Sequence, residues 1–538
     1  MSKNPPLAAS DTGKWMALLA ALLGWMFDGF EIGMIPLVGS NALEELLRDE
    51  LMTNPTAKGK WFGVIMSVFL IGAATGGVVF GWLGDRIGRV RAMSLSILTY
   101  AVFTGLCGFA TEAWHIAVLR FIASLGMGGE WSLGVALVTE LWPNRSRAYL
   151  AGLIGAAANV GFLIVGLLSL VLVSFLQGFG ELLLAIGLSS DSVDVLLRGE
   201  GWRLLMIAGA LPALLVFFIR LFVPESHKWE EANRQKETSY WATQDLIGVV
   251  VGAVGASAMI ALWSPAFEGA FRPFIQNAGG RADLPGWLTA LRIAATVVAF
   301  GVALAGYIYP VVRYLGRAVN AGQLPGSQRR LYLQRLLLGA CLAGIPLLGT
   351  WGSLQWAPKW SIALADLLPA EQSRHAKEYT QIASSCGAIL GTILAAIAGG
   401  VIGRRPTYAM LCVGSFASLY YMYTANDAYG TKLLLSVFIA GGVTAAFYGW
   451  FPLYLPELFP TSIRATSQGF AYNFGRVLSA VGSLQTAVLT AYFAEGIAAD
   501  RIEVEAFPKA GAALATIYLL GLIIIWFGPE TKGKPLPD

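Results

Sequence analysis

From Ala148 to Gly180 no residue carries a charge, and the same is true from Trp61 to Gly84. Inside hydrocarbon, a run of this length can satisfy its backbone N–H and C=O groups only by forming a helix. A chain that repeats the pattern is therefore expected to be an all-α membrane protein. Taking about 20 largely apolar residues per crossing, spans fall near 15–39, 61–83, 92–111, 114–140, 149–176, 202–223, 244–266, 286–312, 331–355, 379–402, 406–424, 431–458, 464–492 and 509–528. That predicts 14 transmembrane helices. Of the 538 residues only 13% are charged and 56% are hydrophobic, too little charge to cover a soluble protein of this size. The first run is too long for the apolar core of a cleaved signal and carries two acids, so it is expected to remain as the first span.

Several function classes drop out. A net charge of +4 spread over short loops offers no surface for nucleic acid. Cys107, Cys341, Cys386 and Cys412 lie in apolar runs without metal-ligand or disulfide spacing. The glycines of "GMGGEW" follow no strand, and no Walker-type phosphate loop occurs, so neither a nucleotide nor any other cofactor is expected. The reading is a transporter rather than an enzyme, driven by a gradient, with a small solute, protons and the lipid bilayer as its partners. It is expected to be monomeric in the plasma membrane.

Loop charge orients the helices. If the N-terminus is cytosolic, the inner loops hold Arg86, Arg89, Arg91, Arg145, Arg147, Arg313, Arg317, Arg329, Arg330, Arg404, Arg405, Lys532 and Lys534. The outer loops then hold Glu44, Glu45, Asp49, Glu50, Glu495, Glu503 and Glu505. Basic loops stay inside, so both termini are expected in the cytosol.

The chain also repeats itself. "ELWPNRSRAYLAG" (140–152) aligns without a gap on "ELFPTSIRATSQG" (457–469), "GDRIGRVRA" (84–92) on "GGVIGRRPT" (399–407), and "PESHKW" (224–229) on "PETKGK" (529–534). Three matches in one order mark two parallel six-helix halves, a secondary-transporter architecture. The expected division is a first bundle at 1–223, a central linker with two inserted spans at 224–330, and a second bundle at 331–538.

These motifs carry a resemblance. "GWLGDRIGR" and the "RFIASLGMGGE" of residues 120–130 resemble signatures of the major facilitator superfamily, and the "PES" and "PET" endings those of its sugar-porter branch. "DGFE", "GMGGEW", "ELWP" and the two inserted spans together look most like sialate and related organic-acid:proton symporters. The resemblance implies a major facilitator fold of two six-helix bundles with two extra central helices, importing sialate or a related acid by alternating access. It also implies that Asp85, Arg89, Glu140, Arg147, Glu457 and Arg464 form the cytosolic latch. Two departures stand out. The first-helix motif ends in Glu31 where the family has Asp, and Gly400 replaces the counterpart of Asp85, so the second half lacks one matching gating contact.

Charges inside the spans narrow the site. A carboxylate at a helix centre costs roughly 2.5–3.5 kcal/mol on insertion scales, so it faces a cavity or a partner. Asp28 and Glu31 share one helix face about 4.5 Å apart in height. Acids that close do not both ionise readily in a low dielectric, which suits them to carrying a proton. His115, His227 and His375 lie near span ends or in loops, leaving Asp28, Glu31 and Glu130 as the proton-coupling candidates. Helix rise puts Arg120 and Glu31 roughly 10 and 7 Å to the same side of the midplane, so Arg120 is expected to pair with Glu31, or to touch substrate. Arg476 sits near the middle of its span with no acid close by in its own helix, and a substrate carboxylate would satisfy it. Tyr472, Asn473, Gln355 and Trp356 complete the expected substrate contacts. A neutral-sugar:proton symporter or a drug or metabolite exporter of the same fold, or a transporter-like sensor, remains an alternative at this point.

Overall fold

The computed structural model describes residues 11–53, 57–143, 145–263, 276–278, 281–283, 286–369, 374–498 and 501–537. In the first half the long helices are α1 (Asp11–Leu46), α2 (Ala57–Ile87), α3 (Arg89–Cys107), α4 (Ala113–Leu141), α5 (Arg147–Ala185) and α6 (Ser190–Ala208, continued by Ala213–Phe222). A hairpin of α7 (Leu246–Leu262) and α8 (Gly286–Asn320) follows. The second half holds α9 (Gly326–Gly352, continued by Ala357–Ala365), α10 (Ala376–Val401), α11 (Arg404–Ala425) and α12 (Thr431–Ala445, continued by Phe447–Tyr454). It ends with α13 (Arg464–Phe493) and α14 (Ile502–Ala515, continued by Ile517–Ile524). Among the described residues the strands are β1 (Gln276–Ala278) and β2 (Arg281–Asp283), an antiparallel pair.

Twelve helices among the described residues are long and apolar enough to cross a membrane. The fourteen expected from the sequence are thus not reached on length and composition. The two outside the twelve are α11 and α13, continuous helices of 22 and 30 residues at the expected 406–424 and 464–492. Polar residues lower the mean hydropathy: Pro406, Thr407, Ser415, Ser418 and the tyrosines of α11, and Arg464, Gln468, Asn473 and Arg476 of α13.

The two halves meet along two seams, α2 against α13 and α5 against α10. The first is a close backbone approach: a Cβ on Gly469 would stand 2.1 Å from the Gly77 carbonyl oxygen. The inserted hairpin lies over this seam and touches both sides. Tyr307 and Thr75 of α2 share a hydroxyl contact at 2.9 Å, and Phe300 packs on Phe474 of α13 with ring centroids 5.5 Å apart. Thr75 also donates to the Ile71 carbonyl, so Tyr307 is the donor to Thr75.

One end of the bundle gathers the arginines of the repeat, and there the two halves use the same local device. Gly88 and Gly403 open α3 and α11 with φ of 108° and 115°, a region closed to most side chains. The first N–H groups of each helix are then free for an acid from far along the chain. Glu225 of "PES" accepts from the backbone N–H groups of Arg89, at 2.9 Å, and Val90. Glu530 of "PET" accepts from those of Arg404 and Arg405, both at 3.1 Å.

Burial pushes the Glu225 carboxyl above its ordinary range against the pull of these donors and of Arg89. At Glu530 burial acts the same way, but the N–H groups of Arg404, Arg405 and Lys532 outweigh it and hold the carboxyl below its ordinary range. Glu530 therefore contributes stability above its unfolded pKa that is lost as pH falls through the folded value. Ionised Glu225 costs stability at neutral pH, and that cost is relieved on acidification. Glu530→Gln should lower the melting temperature of the detergent-solubilised protein by about 2 °C near neutrality, with the deficit shrinking toward pH ~4. Glu225→Gln should cost less near neutrality, with a deficit that does not shrink. Matching pH profiles for the two variants would contradict this difference.

Candidate functional site

At the arginine-rich end the seam is closed by two ion-pair networks that exchange arginines between the halves. Glu140 at the end of α4 accepts from Arg464 of the other half at 2.7 Å and from Arg89 of its own half at 3.1 Å. Glu457 accepts from Arg147 of the other half at 3.2 Å and from Arg404 of its own half at 2.6 Å. The motifs at the ends of the halves join in, since Ser226 donates to Glu140 and Thr531 donates to Glu457 at 2.6 Å. All of these charges are buried, where each needs its partner. Asp85 adds a contact without a counterpart. It accepts from the N–H groups of Ala465 and Thr466 at 3.1 and 2.8 Å and from the Thr466 hydroxyl at 2.6 Å, capping α13 from across the seam. At the equivalent place Gly400 lies against Ala148, where a Cβ would come within 2.9 Å of the alanine methyl.

The opposite, acid-rich end is open. A vestibule of about 820 Å³ runs inward past Lys58, Phe62, Trp356, Lys359, Lys377 and Glu378. Phe162, Trp351, Gln355 and Gln381 form a neck between it and a deeper chamber of about 110 Å³. Asp28 and Arg476 line that chamber from the two halves, together with Trp25, Asn159, Thr350, Tyr448 and Tyr472.

Arg476 is 4% exposed, and its Nε and Nη1 have no hydrogen-bond partner among the described residues. Leaving such donors unpaired in a buried place is costly, and a ligand acceptor in the chamber would satisfy them. Asp28 is fully buried and Glu130 nearly so. Their carboxyl groups lie side by side, close enough for one shared proton to bridge them; with both ionised, neither has a donor among the described residues. The approach depends on Gly24, one turn before Asp28, where a Cβ would fall 1.6 Å from Glu130 Oε1.

The remaining candidates separate by position. Arg120 forms a buried ion pair with Glu31, which also accepts from the Thr104 hydroxyl at 2.5 Å. Arg120 lies over the Phe69 ring at 5.1 Å and lines neither cavity, so the expected substrate contact from Arg120 gives way to this pair. Asn473 is likewise absent from the lining. Its amide donates to the Gly128 and Gly469 carbonyls at 2.9 and 3.0 Å, because it points toward α4 and Gly77 of α2 rather than along the Tyr472–Arg476 face. Trp356 lines the vestibule alone, while Gln355 reaches both cavities. A 3₁₀ turn at Leu354–Trp356 breaks the helical spacing there.

Residues that the sequence reading passed over support and line the chamber. Trp131 of α4, outside the lining, stacks on Tyr472 with centroids 3.9 Å apart and planes 14° from parallel, joining the halves. Trp25 and Tyr448 meet the same Tyr472 ring edge-on at 6.2 and 6.4 Å. Trp25 lies three residues before Asp28 on the same helix face, the one signal that could have pointed to it.

Residues 15–365 match the family model of the Major Facilitator Superfamily. The chain is 26% identical over 524 residues to a Haemophilus influenzae protein assigned to metabolite transport, covering 97% of this chain and 98% of that one. It is 25% identical over 472 residues to the cis,cis-muconate transport protein of Acinetobacter baylyi, covering 87% and 85%. Among solved structures, the proton:xylose symporter XylE of E. coli aligns with a TM-score of 0.64 at 18% identity, covering 97% of this chain and 98% of that one. With the family match spanning more than half of the chain and the helical architecture agreeing, the protein belongs to the Major Facilitator Superfamily of membrane transporters.

Proposed function

We propose that this transporter is a proton-coupled symporter that imports a small carboxylate-bearing solute. Its fourteen spans are divided into bundles at 1–223 and 331–538 around the insertion at 224–330. The observation that carries the reading is Arg476, buried in the central chamber with two donors unpaired among the described residues and the Asp28–Glu130 pair in the other half. A guanidinium presents parallel N–H groups that match a carboxylate's two oxygens. The muconate relative, itself a carrier of an organic acid, supports the same class.

Coupling follows from charge. With Asp28 and Glu130 both ionised, an incoming carboxylate is a third anion in a low-dielectric chamber and is repelled. One proton shared by the pair removes most of that repulsion and lets the solute reach Arg476. Proton and solute therefore load together. The basic loops favour an arginine-rich end in the cytosol, with the open vestibule facing outward at the plasma membrane. The two halves then rock about the chamber, the arginine exchange at Glu140 and Glu457 parts, and the less acidic interior releases both cargoes. Asp85, Arg89, Arg147 and Arg464 serve as the latch in this cycle. Glu31 acts through Arg120 as a structural pair, leaving the proton to Asp28 and Glu130.

Uptake of labelled organic acids into proteoliposomes under an imposed pH gradient tests the reading directly. Asp28→Asn should abolish gradient-driven accumulation yet leave exchange of internal for external solute. Glu31→Gln should instead lower stability by about 3–5 kcal/mol, because Arg120 loses its buried partner, and leave the pH dependence of whatever folds unchanged. If the two variants show the same pH profile, the assignment of the proton to Asp28 and Glu130 is wrong.

The latch gives a second measurement. Arg147→Ala removes one of the two charge pairs across the seam, a loss of order 1.5–3 kcal/mol for a charge-assisted bond. That is roughly tenfold or more in the balance between states. A single cysteine placed at the arginine-rich end of α10 should react with a membrane-impermeant maleimide in inside-out vesicles faster in this background. Unchanged labelling would mean that Arg147 does not hold the seam shut.

A further inference from the structure

The chamber narrows the class of acid, on the carboxylate reading of Arg476 given above. We infer that the solute is a small monocarboxylate with an aromatic ring, its carboxylate on Arg476 and its ring against the aromatic wall at Tyr472. A dicarboxylate or a polyhydroxylated sugar acid does not fit the same chamber.

Three observations carry this. The first is the charge of the lining. Among the described residues Arg476 is its one cation and Asp28 its one acid. A second carboxylate on the solute would find no positive partner and would face Asp28. The lysines Lys58, Lys359 and Lys377 belong to the vestibule and not to the chamber, and Lys58 and Lys359 are paired with Glu44 and Glu503 at 2.8 Å each.

The second observation is the state of the polar side chains. A sugar acid needs a partner for each hydroxyl it buries, and a site that lacks them leaves those groups unpaired. Here the Asn159 amide already donates to the Gly155 carbonyl at 3.1 Å, and the Gln381 amide to Ser385 at 3.1 Å. Thr350, Gln355, Ser384 and the Tyr448 and Tyr472 hydroxyls remain, and in so small a chamber they serve a ring substituent or heteroatom rather than the full set of hydroxyls of a sugar acid. The space agrees, since about 110 Å³ is well under the roughly 300–1,000 Å³ of sites that enclose drug-sized ligands.

The third observation is the fixed aromatic wall. Tyr472 is held by its stack on Trp131 and by the edges of Trp25 and Tyr448, so its ring is in place before a ligand arrives. A ligand ring meeting Trp25 and Tyr472 gains the edge and offset contacts that a saturated ring of equal size cannot make.

The test uses the full-length protein in detergent at mildly acidic pH, reading ligand-induced thermal stabilisation and competition for counterflow in proteoliposomes. The probes are benzoate, cyclohexanecarboxylate, terephthalate, benzamide, N-acetylneuraminate and xylose. Benzoate should bind about threefold to tenfold more tightly than cyclohexanecarboxylate and at least about tenfold more tightly than terephthalate or N-acetylneuraminate. Tyr472→Leu should bring the benzoate to cyclohexanecarboxylate ratio close to one, and Trp25→Leu provides the same readout if the first variant does not fold. Equal binding of the saturated ring overturns the aromatic assignment, and equal binding of terephthalate overturns the monocarboxylate one. Preference for N-acetylneuraminate, or no binding of benzoate, overturns the inference while any other acid that binds keeps the carboxylate reading. Benzamide matching benzoate, or xylose alone binding, sinks the carboxylate reading itself.

Discussion

The reciprocal exchange of arginines between the halves is the interaction on which the rest of this structure depends. Arg464 reaches Glu140 and Arg147 reaches Glu457, so each half supplies a cation to an acid of the other. The acids are also bound from their own halves by Arg89 and Arg404. Each carboxylate is therefore satisfied twice, and parting the seam removes one partner without stranding it. That is the arrangement a reversible closure requires, because a buried charge left with no partner would make opening prohibitively costly. The motifs of the repeat now have individual jobs. The glycine before α3 and α11 exposes the first backbone N–H groups, the Glu of "PES" or "PET" accepts them, and the following hydroxyl holds the latch acid.

Among the described residues the arginine-rich end is closed and the vestibule opens at the other, and this sets the electrostatics of the centre. Arg476 lines the chamber from one half and Asp28, with Glu130 beside it, from the other. Neither wall is complete alone, since the cation comes from α13 and the pair of acids from α1 and α4. On the proposed cycle a solute bound to Arg476 also bridges the halves, so occupancy and rocking are coupled by geometry. The Trp131–Tyr472 stack crosses the same boundary from α4 to α13. Its parting accompanies any separation of the two helices at that level.

Much of this was legible in the sequence, for reasons that also explain what was not. Helix rise alone set Arg120 and Glu31 at one depth, and the structure joins them. The gapless repeat made Glu140 equivalent to Glu457 and Arg147 to Arg464, and those four residues meet. Lateral direction was harder. Asn473 is next to Tyr472 in sequence, yet it turns about 100° around α13 and spends its amide on Gly128 of α4 and Gly469 of its own helix. Trp356 was set beside Gln355 on a regular helix, and a 3₁₀ turn separates them. The contact of Glu130 with α1 could not be read at all, because it depends on the missing Cβ of Gly24 on a different helix. Length and composition alone leave α11 and α13 out of the span count, because their polar residues lower the mean hydropathy of helices that are otherwise long enough to cross.

The departure from symmetry at Asp85 bears on how the seam opens. Asp85 binds two backbone N–H groups and a hydroxyl at the start of α13, while Gly400 offers nothing comparable to α5. The α2–α13 seam therefore holds one more charged contact than the α5–α10 seam, and it is also the seam covered by the inserted hairpin through Thr75 and Phe474. Both additions fall on one side of the molecule. A helix pair so reinforced resists separation, whereas at that end α5 is held by Arg147 to Glu457, in the turn after α12, and meets α10 at Gly400 without such support. On the proposed cycle, opening of the arginine-rich end would swing α5 away from α10 about the reinforced α2–α13 side, with the inserted helices at the hinge rather than the gate.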